Sequence, residues 1–550
     1  MPFPLRGSAL LLAAIACRAP ADKPGGARGG DTARGGDSAR PDTGADTADT
    51  AAPPDPRAEA VLAAARRDIA RSPASGASIS VWLNGEVLFV GGAGSARPDA
   101  EVPVGPDTLF QIGSDTKKLT ALSLLRAEAA GRLSRGDAVS THLPGLTLAG
   151  GAGWAGAATV HHLLSHQGGL QDWYDLGGDV SDEALASVTY GAFAAEAAVF
   201  NPPGAFYNYS NPNFSLAGLV DERAAGVPWA THLAADLLPA LGLPRTIARR
   251  ADIDADAAAG NGYADFDSTT IGTVEPGEAW EGGWTRPAGL VWGNSRDQAR
   301  LAGFLIHGDE GVLPAALLDA LRTPHAPLYP DIDAGGYGYG LIVGQGFSLG
   351  ANRYYDAPVW SHGGNTLAYT STFYVLPEQD FAVSILSNGT GDDFIGTVVA
   401  AIDAYATLPT PVEPPPPAPF EPLLAAAFAG TYTDPVSLGA VEIGYNPASQ
   451  ALTVSMPALD AAGVPYRRVL TPYSTRVWGL TIDGYAYDVS FIEGEGGVMY
   501  LRNRAFVATR APSARAPGPA APVDAAALRA RLRRAQQDPV PALLRPAARR

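Results

Sequence analysis

Residues 110–133 read FQIGSDTKKLTALSLLRAEAAGRL, and a chain built on this stretch must fold around a helix whose first turn carries chemistry. Ser114 and Lys117 form an S-x-x-K pattern, so on a helix they share a face and their side chains meet. Leu119, Leu122, Leu125 and Ala129 recur at helical spacing and predict an amphipathic helix with that row turned to a core. Gly131 predicts its end. A serine hydroxyl is a weak nucleophile until a base takes its proton. A buried lysine can be that base, because desolvation lowers its pKa. The chain has only three lysines, Lys23, Lys117 and Lys118, among 39 basic residues. Arginine cannot be deprotonated in a protein and cannot replace a lysine base. The plainer reading is an exposed first-turn lysine beside a serine cap, so the partners of this pair decide.

At 550 residues the chain has room for two or three domains. A formal net charge of -17 argues against a nucleic-acid partner. Zinc-ligand spacing, a Walker loop and a dinucleotide fingerprint are absent from the sequence, so no cofactor and no metal are expected. Cys17 is the only cysteine, which leaves no intramolecular disulfide. Residues 1–17, MPFPLRGSALLLAAIAC, place Arg6 before an apolar run and small residues before Cys17, the pattern of a signal peptide. It resembles a bacterial lipoprotein signal, with Ala14 where leucine is usual. That resemblance implies lipidation of Cys17 and an envelope protein anchored to a membrane, facing the periplasm or the cell surface. Ordinary secretory cleavage is the alternative.

Residues 18–56 hold decaying ARGGDT-type repeats with no apolar residue larger than alanine or proline, and read as a flexible tether. Arg57 to Arg71 predicts a helix, and Asn84-Gly85 between two apolar runs predicts a hairpin. Residues 158–174 predict a short helix broken at Gly168-Gly169; for His161, His162 and His166, packing or capping is preferred to metal. An apolar helical run starts at Leu216, and another helix is capped near Asn294 or Ser295. Thr370 to Val375 and Phe381 to Leu386 form an antiparallel pair. Residues 57–407 thus form the main domain, 408–420 a proline linker, and 421–510 an all-β domain, a small barrel or sandwich. Residues 511–550 read as a disordered Ala-, Pro- and Arg-rich tail, with a basic helix at 525–537 the alternative. Gly346-Phe347-Ser348-Leu349-Gly350 fits the G-x-S-x-G elbow, but no helical pattern follows it, and it reads as a turn between strands.

The main domain carries three motifs in order: S-x-x-K at Ser114 and Lys117, Y-x-N at Tyr209 and Asn211, and H-G-G at His362 to Gly364. With HHLLSHQGGL, PPGAFYNYSNPNF and RPAGLVWGNSRDQARLAGFL around them, they resemble the serine β-lactamase and penicillin-binding-protein superfamily, in its class C β-lactamase, D-aminopeptidase and esterase branch. The resemblance implies an α+β fold: an antiparallel sheet flanked by helices, here followed by a lipocalin-like β-domain. It implies an acyl-enzyme on Ser114, with Lys117 and Tyr209 as catalytic partners, either of them the base. By the same resemblance Asn211 binds the substrate amide and the lysine. The N–H groups of Ser114 and Asn365 form the oxyanion hole, and Gly363 and Gly364 let substrate backbone approach.

The third motif of β-lactamases starts with a lysine that binds the substrate carboxylate; here it starts with His362, mostly neutral near pH 7. D-aminopeptidases of the family also carry H-x-G. The expected substrates are therefore D-amino-acid peptides, amides or esters, with β-lactams turned over slowly or not at all. The alternative is an inert penicillin-binding-like envelope lipoprotein with a wall-binding role.

Overall fold

The Asn84-Gly85 turn sets the first strands in place. Both residues lie in the left-handed region, φ 51° and 87°, the conformation a tight hairpin requires. The strands they join, Gly76–Leu83 and Glu86–Arg97, belong to a nine-stranded sheet. In the computed structural model this sheet runs, from one edge, Val102–Pro103, Glu86–Arg97, Gly76–Leu83, Phe381–Ser387, Thr370–Leu376, Val359–Asn365, Ile342–Gly344, Gly336–Tyr337 and Ala326–Pro327. Every pairing is antiparallel. The structure describes residues 55–510, except 174–177, 255, 266–270, 280–281, 334, 351–352, 391–393 and 417–419; beyond 510 it describes only Arg529 and Leu532. The described residues belong to one unit, Pro54–Arg550. The expected signal peptide with Cys17, the expected tether up to residue 54 and most of the expected tail lie outside the described residues.

Alternation along the strands shows how the sheet is covered. Ser78 and Ser80 hydrogen-bond to Ser295, so the helix Ser295–His307 lies on their face. Ile79 is paired with Gly91, and a side chain there would meet Leu62 of the helix Pro56–Ile69. That helix packs with Ile395–Tyr405 on the opposite face. Ser78, Leu386, Ser371 and Gly364 form one cross-strand row. Ser371 on that row reaches Ile112 and Asp115, which puts the serine turn on the same face as Ser295.

Several local expectations are met. Asn294 caps the helix Ser295–His307 by accepting from Asp297 N at 2.9 Å. His162 forms a capping box with Thr159, while His161 meets the Tyr339 hydroxyl at 2.8 Å. Ser348 ends the two-residue strand Phe347–Ser348, paired with Tyr354–Tyr355, so G-x-S-x-G lies in a hairpin, with the serine in its strand and not in the turn.

Others are corrected. The helix Thr116–Ala129 is not amphipathic: it is buried on every side from Thr116 to Leu125, while Ala129 is exposed. Polar side chains on its other faces are also covered, because the helices around it enclose it. The helical run placed at Leu216 begins five residues earlier, at Asn211, with Pro212 in the first turn where a missing N–H costs nothing. In residues 158–174 the helix is only Val160–Leu164.

The C-terminal β-region is a nearly closed, barrel-like sheet. Its eight strands, from Gly430–Asp434 to Phe506–Arg510, are all antiparallel neighbours. The edges meet through Val454 N to Arg468 O at 2.8 Å and Leu470 N to Leu452 O at 2.9 Å. Near-closure of this kind leaves little strand edge exposed. Of the tail, Leu532 is buried in the barrel's core cluster and Arg529 pairs with Asp483 at 3.0 Å, so these two residues pack where a structureless tail was expected.

Candidate active site

Ser114 lies in a short turn, Gly113–Asp115, directly before the helix Thr116–Ala129. Its backbone N–H therefore lies at the positive end of that helix. Lys117 follows one turn on and is fully buried. Its Nζ is 3.0 Å from Ser114 Oγ, 2.7 Å from Asn211 Oδ1 and 2.6 Å from Ala288 O. Tyr209 Oη donates to the same Ser114 Oγ at 2.8 Å. Lys117 Nζ also lies 4.8 Å from the centre of the Tyr209 ring. One hydroxyl thus meets an amine and a phenol, both anchored, and Ser114 is the only one of the three that is not buried.

Burial pushes the Lys117 amine well below its ordinary pKa; Arg504 pushes it further, and Asp172 and Asp115 push back. A neutral amine has a lone pair to offer the serine proton. The neighbouring Lys118 is the structural member of the pair. It is ion-paired with Asp115, both fully buried, and its ammonium lies over the Phe373 ring. Asp115 also accepts from Ser371 Oγ at 2.6 Å. Breaking a buried pair of this kind typically costs about 3–5 kcal/mol, so the lysine beside Lys117 ties the serine turn to the sheet.

The strand Val359–Asn365 passes against the serine turn. A Cβ on Gly364 would stand 2.5 Å from Ser114 N and 2.3 Å from Ile112 O. A Cβ on Gly113, whose φ is +52°, would stand 2.7 Å from Asn365 N. The two N–H groups expected to serve an oxyanion are therefore brought side by side by glycines on both partners. This corrects the reason given for Gly364: its missing side chain admits the serine turn, not a ligand. Gly363 is partly exposed, and a Cβ there would meet only Ser371 O, at 3.1 Å.

His362 is buried, and both its ring nitrogens are engaged. Nδ1 is 2.7 Å from Gly363 O, and Nε2 is 3.0 Å from the Tyr337 hydroxyl. A carbonyl can only accept, so Nδ1 carries the proton and Nε2 accepts from Tyr337. Burial, with Lys118 and Lys117 nearby, pushes His362 well below the usual histidine pKa. It brings no positive charge to the third motif. His166 is also held neutral by burial; its ring centre is 4.1 Å from that of Tyr209.

Four contributors had no motif to announce them. Ala288 O, in RPAG, accepts a hydrogen bond from Lys117 Nζ. Asp172 Oδ1 accepts from Asn211 N at 2.9 Å and from Asn211 Nδ2 at 3.1 Å. Tyr337 holds His362. Arg504, from the barrel, binds Asp172. The only sequence signal for any of these was the stretch containing Ala288. Among the described residues no group of three or more His, Cys, Asp or Glu is placed to hold a metal ion.

A family model described as Beta-lactamase matches residues 63–407. Esterase EstB of Burkholderia gladioli is 28% identical over 363 residues, which cover 60% of this chain and 89% of the esterase. Protein flp of Staphylococcus aureus is 23% identical over 326 residues, 58% of this chain but only 61% of flp. The crystal structure of SurE, also solved with D-Leu, superposes with a TM-score of 0.61 at 22% identity, covering 83% of this chain and 99% of SurE.

Proposed function

Because this chain belongs to the Beta-lactamase family, we propose that it hydrolyses ester and amide bonds, including those of D-amino-acid peptides, through an acyl-enzyme on Ser114. It is a serine hydrolase. The single observation that carries the mechanism is the Ser114 hydroxyl held between a fully buried Lys117 amine and the Tyr209 hydroxyl. Lys117 takes the Ser114 proton as Oγ forms its bond to the substrate carbonyl. The Ser114 and Asn365 N–H groups face the oxyanion that develops. As the carbonyl–leaving-group bond breaks, Tyr209 gives its proton to the leaving group and is reprotonated from the Lys117 ammonium. Water then yields a proton to Lys117 and attacks the ester, and Ser114 leaves with that proton. Asn211 holds Lys117 in place and offers its amide edge to the substrate.

The esterase relative supports ester substrates. The neutral, enclosed His362 supports poor binding of a penicillin carboxylate. We also propose that Cys17 is lipidated and that the protein works in the cell envelope, which labelling with a fatty acid in wild type and Cys17→Ser would test.

The test of the reaction is intact-mass labelling with a fluorophosphonate and, separately, a penicillin, beside Ser114→Ala and Lys117→Ala. One adduct on Ser114 is expected, absent in Ser114→Ala and slowed about 10³-fold or more in Lys117→Ala. Labelling should persist far below the ordinary lysine pKa of 10.5, because the neutral amine survives there. Fast penicillin turnover at neutral pH would contradict the substrate reading, and a folded protein that does not label would contradict the reaction.

A further inference from the structure

We propose that Arg504, in the last hairpin of the barrel, is a positioning residue for the hydrolase site, acting on Lys117 through Asp172 and Asn211. The inference rests on the reading of Ser114 and Lys117 as nucleophile and base.

The chain of contacts is continuous. Arg504 Nε and Nη2 donate to Asp172 Oδ2 at 3.0 and 2.7 Å. The other oxygen, Oδ1, takes both the N–H and the side-chain amide of Asn211. Asn211 Oδ1 then accepts a hydrogen bond from Lys117 Nζ, which touches Ser114 Oγ. The Asp172 contact decides which way the Asn211 amide faces: with its NH₂ group on a carboxylate, its oxygen must face the lysine. A carboxylate placed here needs a counter-ion, since the Asp172 side chain is only 7% exposed and that of Arg504 only 8%. An isolated buried charge is strongly disfavoured. The Arg504 guanidinium also lies 4.6 Å from the centre of the Tyr209 ring.

The barrel is docked where this arrangement requires it. Arg502 Nη1 donates to Tyr207 O at 2.8 Å and Leu328 O at 3.2 Å. Tyr500 packs edge-on against Phe206, with ring centres 5.1 Å apart. Asp331 takes Ser474 Oγ at 2.5 Å and Arg476 N at 2.8 Å. The barrel thus holds the segment that leads into Tyr209 and Asn211, and inserts one cation beside it. That cation stands in a site whose third motif has none.

The two charges act on Lys117 in opposite directions. The groups facing Lys117 are Asp115 in the turn before its helix with Lys118 on that helix, Tyr209, the neutral His166 and His362, and the Arg504–Asp172 pair. Losing Arg504 alone leaves Asp172 to favour the ammonium, so the base protonates at higher pH. Losing Asp172 alone leaves Arg504 to disfavour it, so the base protonates at lower pH.

The experiment uses the full chain and the rate of fluorophosphonate labelling of Ser114 across about pH 5 to 10, with thermal melting beside it. Arg504→Met should slow labelling about 10- to 100-fold near neutral pH and move the acid limb up by about one pH unit. Asp172→Asn should move the limb down. The double variant should return the limb toward wild type while staying slow, because Asn211 has lost its anchor. Arg504→Lys should keep the limb and recover part of the rate. The double variant removes both buried charges together, so it remains informative where either single variant fails to fold. Limbs unmoved in every folded variant, with rates that follow melting temperature alone, would overturn the proposal. So would a loss confined to KM for one substrate. A wild type that does not label at all would instead sink the assignment of Ser114 on which the inference stands.

Discussion

The serine turn and the last hairpin of the barrel supply neighbouring parts of one site by opposite means. At the turn, Ser114 and Lys117 meet because helical geometry brings residues three apart together. At the hairpin, Arg504 meets Asp172 from 332 residues away, and only the docking of a separate β-barrel brings them together. The first region carries its chemistry in a short local pattern. The second carries no motif, and its contribution is a single well-placed charge. Strength of motif and closeness to the chemistry are therefore different properties.

Three changes would sharpen or break this contrast. The largest effect is expected at the turn. Gly364→Ala would drive a Cβ to within 2.5 Å of Ser114 N. Prying the two N–H groups apart should lower kcat about 10²-fold, the usual loss when one oxyanion donor is misplaced. A rate within twofold of wild type would mean the strand does not supply the oxyanion site. A smaller effect is expected at the docking surface. Tyr500→Ala empties the contact with Phe206 and should cost about 2–4 kcal/mol of stability, as other large buried aromatic truncations do. The loss of rate should be milder than for Arg504→Met, because Arg502 still holds Tyr207. A rate unaffected while the barrel is visibly loosened, for instance by proteolysis, would separate the barrel from the reaction. The smallest effect is expected at Ser348, in the G-x-S-x-G stretch. Its hydroxyl bonds to Gly350 O two residues on, so Ser348→Ala should leave labelling unchanged. Loss of the adduct there would reopen the elbow reading.

The same distinction explains what was visible before the structure. Asn84-Gly85, the Asn294 cap and the Ser114–Lys117 pair involve partners within a few residues, and each forms as expected. The order of the three motifs led to the family, although Tyr209 and Ser114 are 95 residues apart. The all-round burial of residues 116–125 was not visible, because periodicity marks the most apolar face and does not count the neighbours that cover the others. The role of Gly364 was misread because a glycine shows that something comes close, not what.

By itself, the sequence determined the Ser114–Lys117 turn, the fold class of the main domain and the presence of a separate β-region. The turn and the β-region follow from residue spacing, side-chain periodicity and turn chemistry; the fold class followed from the family resemblance that the three ordered motifs carry. Only the tertiary structure decided that the β-region curls into a nearly closed barrel, that Asp172 orients Asn211, and that the site's cation comes from Arg504. Those contacts join segments whose separation along the chain is set by the path of the whole fold. A buried carboxylate and its arginine need only meet in space, so no local spacing records them.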